Sequence, residues 1–395
     1  MATVYEKMKT IADAIREKTS GTEVLTLDGM AEAIDGISTG FPNGTEWIKS
    51  NITTGKFTAA VNANGIWMAS SRSNAGLYYS TDGKIWTKSN LTTGNFYRAT
   101  NANGIWVVSS FDGTGIYYSI DGKVWTQSNI TNDKFVIYYI NGIWIANSSG
   151  GAGLYYSTDG KTWIQSNITT GKFLINYGAG IWVASSYSNA GLYYSVDGKT
   201  WTQSNIISSN FRNSINANGI WVAADRTSGL YYSVDGKTWT QSNITIAKIN
   251  HLLNANGIWI VQNYTGQFYY SNDGITWTTG TKISATSLDV SYANGIWFAD
   301  SSSGGGLYYS TDGKIWTKSN LTTSTFNGVY NANGIWIVGS NNNAGIYYSI
   351  DGKTWIRSNI TNGSFTSFEA ANGIWVSSGI SNDSGLYYSI TWEPS

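Results

Sequence analysis

From residue 57 onward the chain is built of short runs of Ile, Val, Phe, Tyr and Trp, each closed by Asn, Asp or Gly and followed by another run. Runs this short, β-branched and aromatic, with turn formers between them, predict strands rather than helices. In the first period, Phe57 to Asn62 reads as strand A and Ile66 to Ser71 as strand B. They are joined by Ala63-Asn64-Gly65, whose Asn-Gly supplies the positive φ of a tight hairpin. A polar loop, Ser71 to Ala75, leads to strand C at Gly76 to Ser80, and Asp82-Gly83 turns the chain into strand D, Ile85 to Asn90.

This unit repeats. Asn-Gly-Ile-Trp, or Ala-Gly-Ile-Trp at Trp182, ends at Trp67, Trp106, Trp144, Trp182, Trp221, Trp259, Trp297, Trp336 and Trp375. Tyr-Tyr-Ser-x-Asp-Gly-x-x-Trp ends at Trp86, Trp125, Trp163, Trp201, Trp239, Trp277, Trp316 and Trp355, in steps of 38 or 39 residues. Four antiparallel strands in about forty residues is one propeller blade. A strand D (Trp47 to Asn51) precedes the first strand A and is nearly missing after the last strand C, so the N-terminal strand can complete the ninth blade and leave no open edge. The fold class is therefore all-β: a closed β-propeller over 46–395 of nine four-stranded blades, with eight and one displaced repeat as the alternative. Asn-Ile-Thr or Asn-Leu-Thr recurs at Asn51, Asn90, Asn129, Asn167, Asn243, Asn320 and Asn359, and reads as part of the repeat rather than as glycan acceptors.

Residues 1–40 follow a helical period instead. Thr3-Val4-Tyr5-Glu6 is a capping box, and Val4, Met8, Ile11, Ala12 and Ile15 share a face of a helix that Gly21 could stop. A second, shorter helix fits Leu27, Met30, Ala31 and Ile34. So few apolar residues cannot bury a core alone, which makes 1–40 an attachment or self-association segment and 41–45 a linker.

Composition narrows the chemistry. The 395 residues hold 45 Gly, 2 Pro, 27 Tyr and 19 Trp, as repetition requires, and 24 Lys plus Arg balance 24 Asp plus Glu. That balance leaves no basic field for nucleic acid. There is no Cys and a single His, His251, so thiolate and multi-histidine metal sites are excluded, and no metal or cofactor is expected. No apolar stretch is long enough to enter a membrane, and the charges among the first twenty residues argue against a signal peptide.

Ser80-Thr81-Asp82-Gly83-Lys84-Ile85-Trp86 and its seven copies resemble the Asp-box of sialidase-like (BNR) propellers, Ser-x-Asp-x-Gly-x-Thr-Trp, except that Gly follows Asp directly. The resemblance implies that Asp82, Asp121, Asp159, Asp197, Asp235, Asp273, Asp312 and Asp351 are structural turn residues, and Asp does bond its own downstream backbone readily. Ile11 to Thr19 followed by Leu25 to Ile34 resembles the N-terminal segment of tail-appendage proteins of phages and prophages of Gram-positive bacteria. That resemblance implies a virion or phage-tail-like particle, made in the bacterial cytoplasm, with 1–40 docking to a tail protein or to itself.

Function is sought where the repeat varies. Strand A carries Arg98, Arg212, His251, Asp289 and Glu369, candidates to line a central channel. The loops between strands B and C carry candidate ligand-binding residues Arg72, Asn74, Tyr187, Asn189, Arg226, Tyr264, Asn342 and Asn382, and also Asp225 and Asp300. A sialidase-type site would need three arginines, a Tyr–Glu pair and an acid brought together. Only Arg98 and Arg212 are available, with Glu369 and Asp289, in blades two, five, nine and seven of a wide ring, so no enzyme is expected. Aromatic faces beside Asn, Asp and Ser suit sugars. The expectation is a non-enzymatic, multivalent binder of carbohydrate or another cell-surface polymer, against a structural propeller that contacts neighbouring subunits and, last, a glycosidase.

Overall fold

The computed structural model describes residues 42–391 apart from 247, 286–287, 302, 333 and 381–383. The expected helices of residues 1–40, and with them the Val4–Ile15 stripe, lie outside the described residues.

Nine four-stranded antiparallel sheets follow one another in the order A-B-C-D. In blade 1 these strands are Phe57–Ala63, Ile66–Ser71, Leu77–Ser80 and Thr87–Lys88. Blades 2 to 8 occupy 100–127, 135–165, 173–203, 211–241, 249–282, 288–318 and 326–357. Blade 9 takes strands A to C from Phe365–Ala371, Ile374–Gly379 and Gly385–Thr391, and its strand D is Pro42–Lys49, paired with strand C as Trp47↔Ser389 and Lys49↔Tyr387. Two expectations shift in detail. The closing strand starts at Pro42, so residues 42–45 belong to it rather than to a linker. In most blades strand D keeps only two ladder residues, because the Asp-Gly turn and the Asn that follows take up the rest of Ile85 to Asn90 and its copies.

Strand B is buried almost throughout, since it lies between two blades and has no solvent face. Its Trp67, Trp106, Trp144, Trp182, Trp221, Trp259, Trp297 and Trp375 are among the most deeply buried side chains. The hydrophobic core is accordingly split into nine clusters, one per junction. Met68 and Leu77 of blade 1, for instance, meet Phe96, Trp106 and Trp125 of blade 2. Ile374, Val376 and Leu386 of blade 9 meet Phe57, Trp67 and Trp86 of blade 1, so the ring is closed by the same kind of contact that builds it.

The recurring Asn residues also work between blades. Asn51 Nδ2 donates to Trp86 O at 2.8 Å, and Trp86 N donates back to Asn51 Oδ1 at 2.8 Å. The same pair of bonds ties Asn90 to Trp125, Asn129 to Trp163, Asn167 to Trp201, Asn205 to Trp239, Asn243 to Trp277, Asn320 to Trp355 and, across the closure, Asn359 to Trp47. Between blades 6 and 7, Thr281 takes the place of Asn and donates a single bond to Lys314 O.

The two faces differ. On one, Asn64 and Gly65 both take positive φ in the A–B turn, as the hairpin requires. The Asp-Gly turns lie on this face too: Asp82 Oδ1 accepts from Ser80 Oγ, Lys84 N and Ile85 N at 2.8–2.9 Å, a pattern repeated at all eight aspartates. Lysines of these turns lie over a tyrosine of the preceding blade, as Lys123 does over Tyr79. The B–C and D–A loops form the opposite face, where they pair with each other, for example at Ala75↔Gly94.

Candidate functional site

Strands A are innermost and neighbouring ones touch, as Asn176 Nδ2 donating to Asn213 Oδ1 shows. Each enters from the loop face, so the first residues of strand A and the B–C loops meet at one mouth of the ring. Between blades 4 and 7 they enclose a cavity of about 540 Å³. Tyr187 of the blade 4 loop, Arg226 of the blade 5 loop, His251 of strand A in blade 6 and Asp289 of strand A in blade 7 all line it, together with Asn213 and Asn250 over a floor of Leu174, Phe211, Ile215 and Leu252. Arg226 and Asp289 are exposed, Tyr187 and His251 half-buried. Two loop residues and two strand residues from four blades thus form one site.

Asp289 also lines a second, smaller cavity of about 220 Å³ between blades 7 and 8, with Ser291, Asp300, Asn327, Gly328 and Tyr330. Asp300 lies directly across the ladder from Asp289 and is only 2% exposed. Burial, reinforced by the Asp289 charge, pushes its carboxyl up to about 8, against a long bond from Gly328 N at 3.5 Å. The Tyr330 hydroxyl is likewise raised, first by burial, and it feels the charges of Arg98, Asp300 and Glu369.

Arg98 and Glu369, which sequence spacing set apart in blades 2 and 9, form an ion pair at 3.1 Å across the inner edge of blade 1. Two expectations are corrected: Arg98 lies in the segment just before strand A of blade 2, which is Thr100–Ala102, and the ring does not separate it from Glu369 of strand A in blade 9, because its long side chain reaches across the inner edge of blade 1. Burial raises the Glu369 carboxyl, and the Arg98 charge only partly offsets this. Arg212 sits at the register shift between Phe211 and Asn213.

The remaining candidates are spread around the loop face. Arg72 lies over Phe111 with its guanidinium 5.5 Å from the ring centroid, and Lys134 approaches the same ring at 5.1 Å. Asn74 has φ 59° and its Oδ1 accepts from Gly94 N at 2.7 Å, so its side chain ties its loop to the next one. Asn189 has φ 65° and is exposed, and Asn342 exchanges bonds with Ser340 within its own turn. Half-buried Tyr264 donates its backbone N–H to Lys248 O, outside the larger cavity. Asn382 lies outside the described residues. The strand-A tyrosines Tyr139, Tyr177 and Tyr292 are partly spent in packing, each tilted or edge-on against the Trp across the ladder at 4.8–5.0 Å.

Among the described residues no three His, Cys, Asp or Glu gather at one point, and no helix is long and apolar enough to cross a membrane.

The sequence matches no family model and no curated protein. Similar solved structures are the computationally designed Ika8 protein (TM-score 0.56, 10% identity, 88% of this chain and 99% of that one), BamB from Moraxella catarrhalis (TM-score 0.53, 11% identity, 87% and 98%) and Sqt1 from Saccharomyces cerevisiae (TM-score 0.51, 12% identity, 75% and 95%). At such identities the likeness is one of fold, and the fold is the β-propeller.

Proposed function

We propose that this propeller is a non-enzymatic recognition module that seats a polyhydroxylated ligand, a glycan of a cell envelope, in the mouth cavity between blades 4 and 7. The observation that carries this reading is the convergence of Tyr187, Arg226, His251 and Asp289, each from a different blade, on one cavity of about 540 Å³. Residues identical in nine blades are accounted for by packing, whereas these four are departures from the repeat that end up adjacent. Chemically they suit a sugar: an aromatic ring for its apolar face, and a guanidinium, an imidazole, a carboxylate and two amides, Asn213 and Asn250, for its hydroxyls. The cavity has the size of a small-ligand site with few polar groups over an apolar floor. On this reading, several chains on one particle would supply the avidity that a single weak site lacks, and residues 1–40 would attach the propeller to a phage-tail-like assembly.

The test is a glycan array probed with the purified chain and with the Arg226→Ala and Asp289→Ala variants. Binding to a restricted set of glycans, lost in both variants, supports the reading; absence of binding, or binding that both variants keep, overturns it.

A second reading, a propeller that only contacts neighbouring subunits, is favoured by the exposed aliphatic side chains on the Asp-Gly turn face, among them Ile120, Val234, Ile315 and Ile350, each at least 70% exposed. Charged substitutions there would abolish assembly and leave glycan binding unchanged.

A further inference from the structure

Asp300 breaks a rule that the other blades keep. At its register, opposite Leu307 of strand C, the equivalent positions of the other eight blades, each opposite a Leu, Ile or Phe, carry Ser, Asn, Gln, Ala or Gly. Several of these stitch their blade to the next strand A: Ser109 Oγ accepts from Phe135 N at 2.9 Å, Asn147 exchanges two bonds with the Phe173 backbone, and Ser378 Oγ donates to Phe57 O at 3.2 Å. In blade 8 a glycine is required, because a Cβ on Gly339 would fall 2.1 Å from Phe365 O.

In blade 7 this buried position holds a carboxyl. Among the described residues its Oδ2 receives a long bond from Gly328 N at 3.5 Å, and its Oδ1 has no hydrogen-bond partner. The buried Asp225 of blade 5 is a useful contrast, since it accepts from Thr227 N, Ser228 N and the hydroxyls of Ser209, Thr227 and Ser228. Asp225 is fully paired and closes its loop. Asp300 has no such set of partners among the described residues, and a buried carboxyl with an open oxygen is costly unless something binds it.

Asp300 lines the 220 Å³ cavity between blades 7 and 8, which Asp289, Ser291 and Asn327 also line. Ser291 Oγ is likewise without a partner. The donors are all hard oxygens, two of them carboxylates, with no thiolate and no imidazole among them. Such a set suits an ion that takes oxygen ligands and keeps part of its water shell, and the cavity has room for those waters.

We propose that this cavity binds a hard divalent cation of the calcium type, held by the carboxylates of Asp300 and Asp289, with oxygens of Ser291 and Asn327 and retained waters completing its shell. The proposal explains why a second carboxylate faces Asp289: the cation neutralises both. The proposal does not depend on the glycan reading, although Asp289 would link the two sites.

The test uses terbium as the probe on the full chain, with luminescence sensitised by nearby tyrosine and tryptophan. Saturable one-site terbium binding, displaced by calcium and weakened by about tenfold or more in Asp300→Asn and in Asp289→Asn, is expected; an exposed Glu46→Gln control should bind as wild type does. Calcium should also raise the melting temperature of the wild type but not of Asp300→Asn. Without metal, Asp300→Asn should melt no lower than wild type, since it removes a buried acid, and this verifies its fold. Absence of saturable terbium binding overturns the proposal. So does a site that Asp300→Asn leaves at wild-type affinity.

Discussion

Replacing Asn167 by Ala isolates the bond that joins one blade to the next. Asn167 Nδ2 donates to Trp201 O at 2.7 Å, and Trp201 N donates to Asn167 Oδ1 at 2.8 Å. The bonds are partly buried and Trp201 itself is 3% exposed, so water cannot fully replace the lost partners. Each backbone group left unpaired in a buried setting costs about 1–3 kcal/mol. With partial burial, two of them give about 2–4 kcal/mol for Asn167→Ala. Asn167→Asp keeps the acceptor for Trp201 N but turns an oxygen toward Trp201 O, so its cost should lie between wild type and the alanine variant, about 1–3 kcal/mol. The exposed Gln165, which donates a single bond to Ala152 O, provides the baseline: Gln165→Ala should cost under about 1 kcal/mol. Urea unfolding followed by tryptophan fluorescence reads all three, with an unchanged slope required for the comparison. If Asn167→Ala shifts the midpoint no more than Gln165→Ala does, the Asn–Trp pairs are not what ties the blades together, and the recurrence of these asparagines needs another cause.

Asp197→Ala should lose about 1–2 kcal/mol in the same assay, because the amides of Lys199 and Thr200 and the Ser195 hydroxyl all donate to its Oδ1. The slight burial of Asp197 works to raise its carboxyl, but the Thr200 and Lys199 amides outweigh it and hold the carboxyl below the ordinary range, as happens at all eight turn aspartates. A carboxyl lowered in the folded state stabilises above its unfolded pKa and loses that contribution as the pH falls through the folded value, so the melting temperature should drop steeply below about pH 4 and stay level through neutrality. A chain beginning at residue 42 should remain folded, whereas one beginning at residue 53 should aggregate, because it lacks the strand that completes blade 9 and exposes the edge of Gly385–Thr391; size-exclusion chromatography separates the two outcomes.

The ring was legible in the sequence because it is periodic. Nine Trp positions, the Asn-Gly and Asp-Gly turns and the displaced strand D each state a local requirement of backbone or packing, and Trp47 pairing into the blade of Trp375 and Tyr387 follows from them. The Asn-Ile-Thr motifs were legible as part of the repeat but not in purpose, since the partner of each Asn is a backbone group 34 or 35 residues later or, for Asn359, Trp47 across the closure. The site was legible only in its ingredients. Tyr187, Arg226, His251 and Asp289 stand out as departures from the repeat, yet two lie in loops and two in strands, and their meeting depends on where strand A enters the ring. The Arg98–Glu369 pair is illegible in the sequence for a related reason: spacing counted in blades does not show how crowded the inner edge of the ring is, where a long side chain reaches past a whole blade. Asp300 carried a signal that could have been found, a charge at a register where the other blades are neutral.

The most direct measurement is a crystal structure of the chain soaked with the glycan that it binds. Sugar density in the cavity between blades 4 and 7, with its apolar face on Tyr187 and its hydroxyls on Arg226, His251 or Asp289, is the predicted result. Density repeated around the outer loops with that cavity empty would contradict it, and would return the recognition role to the repeat itself.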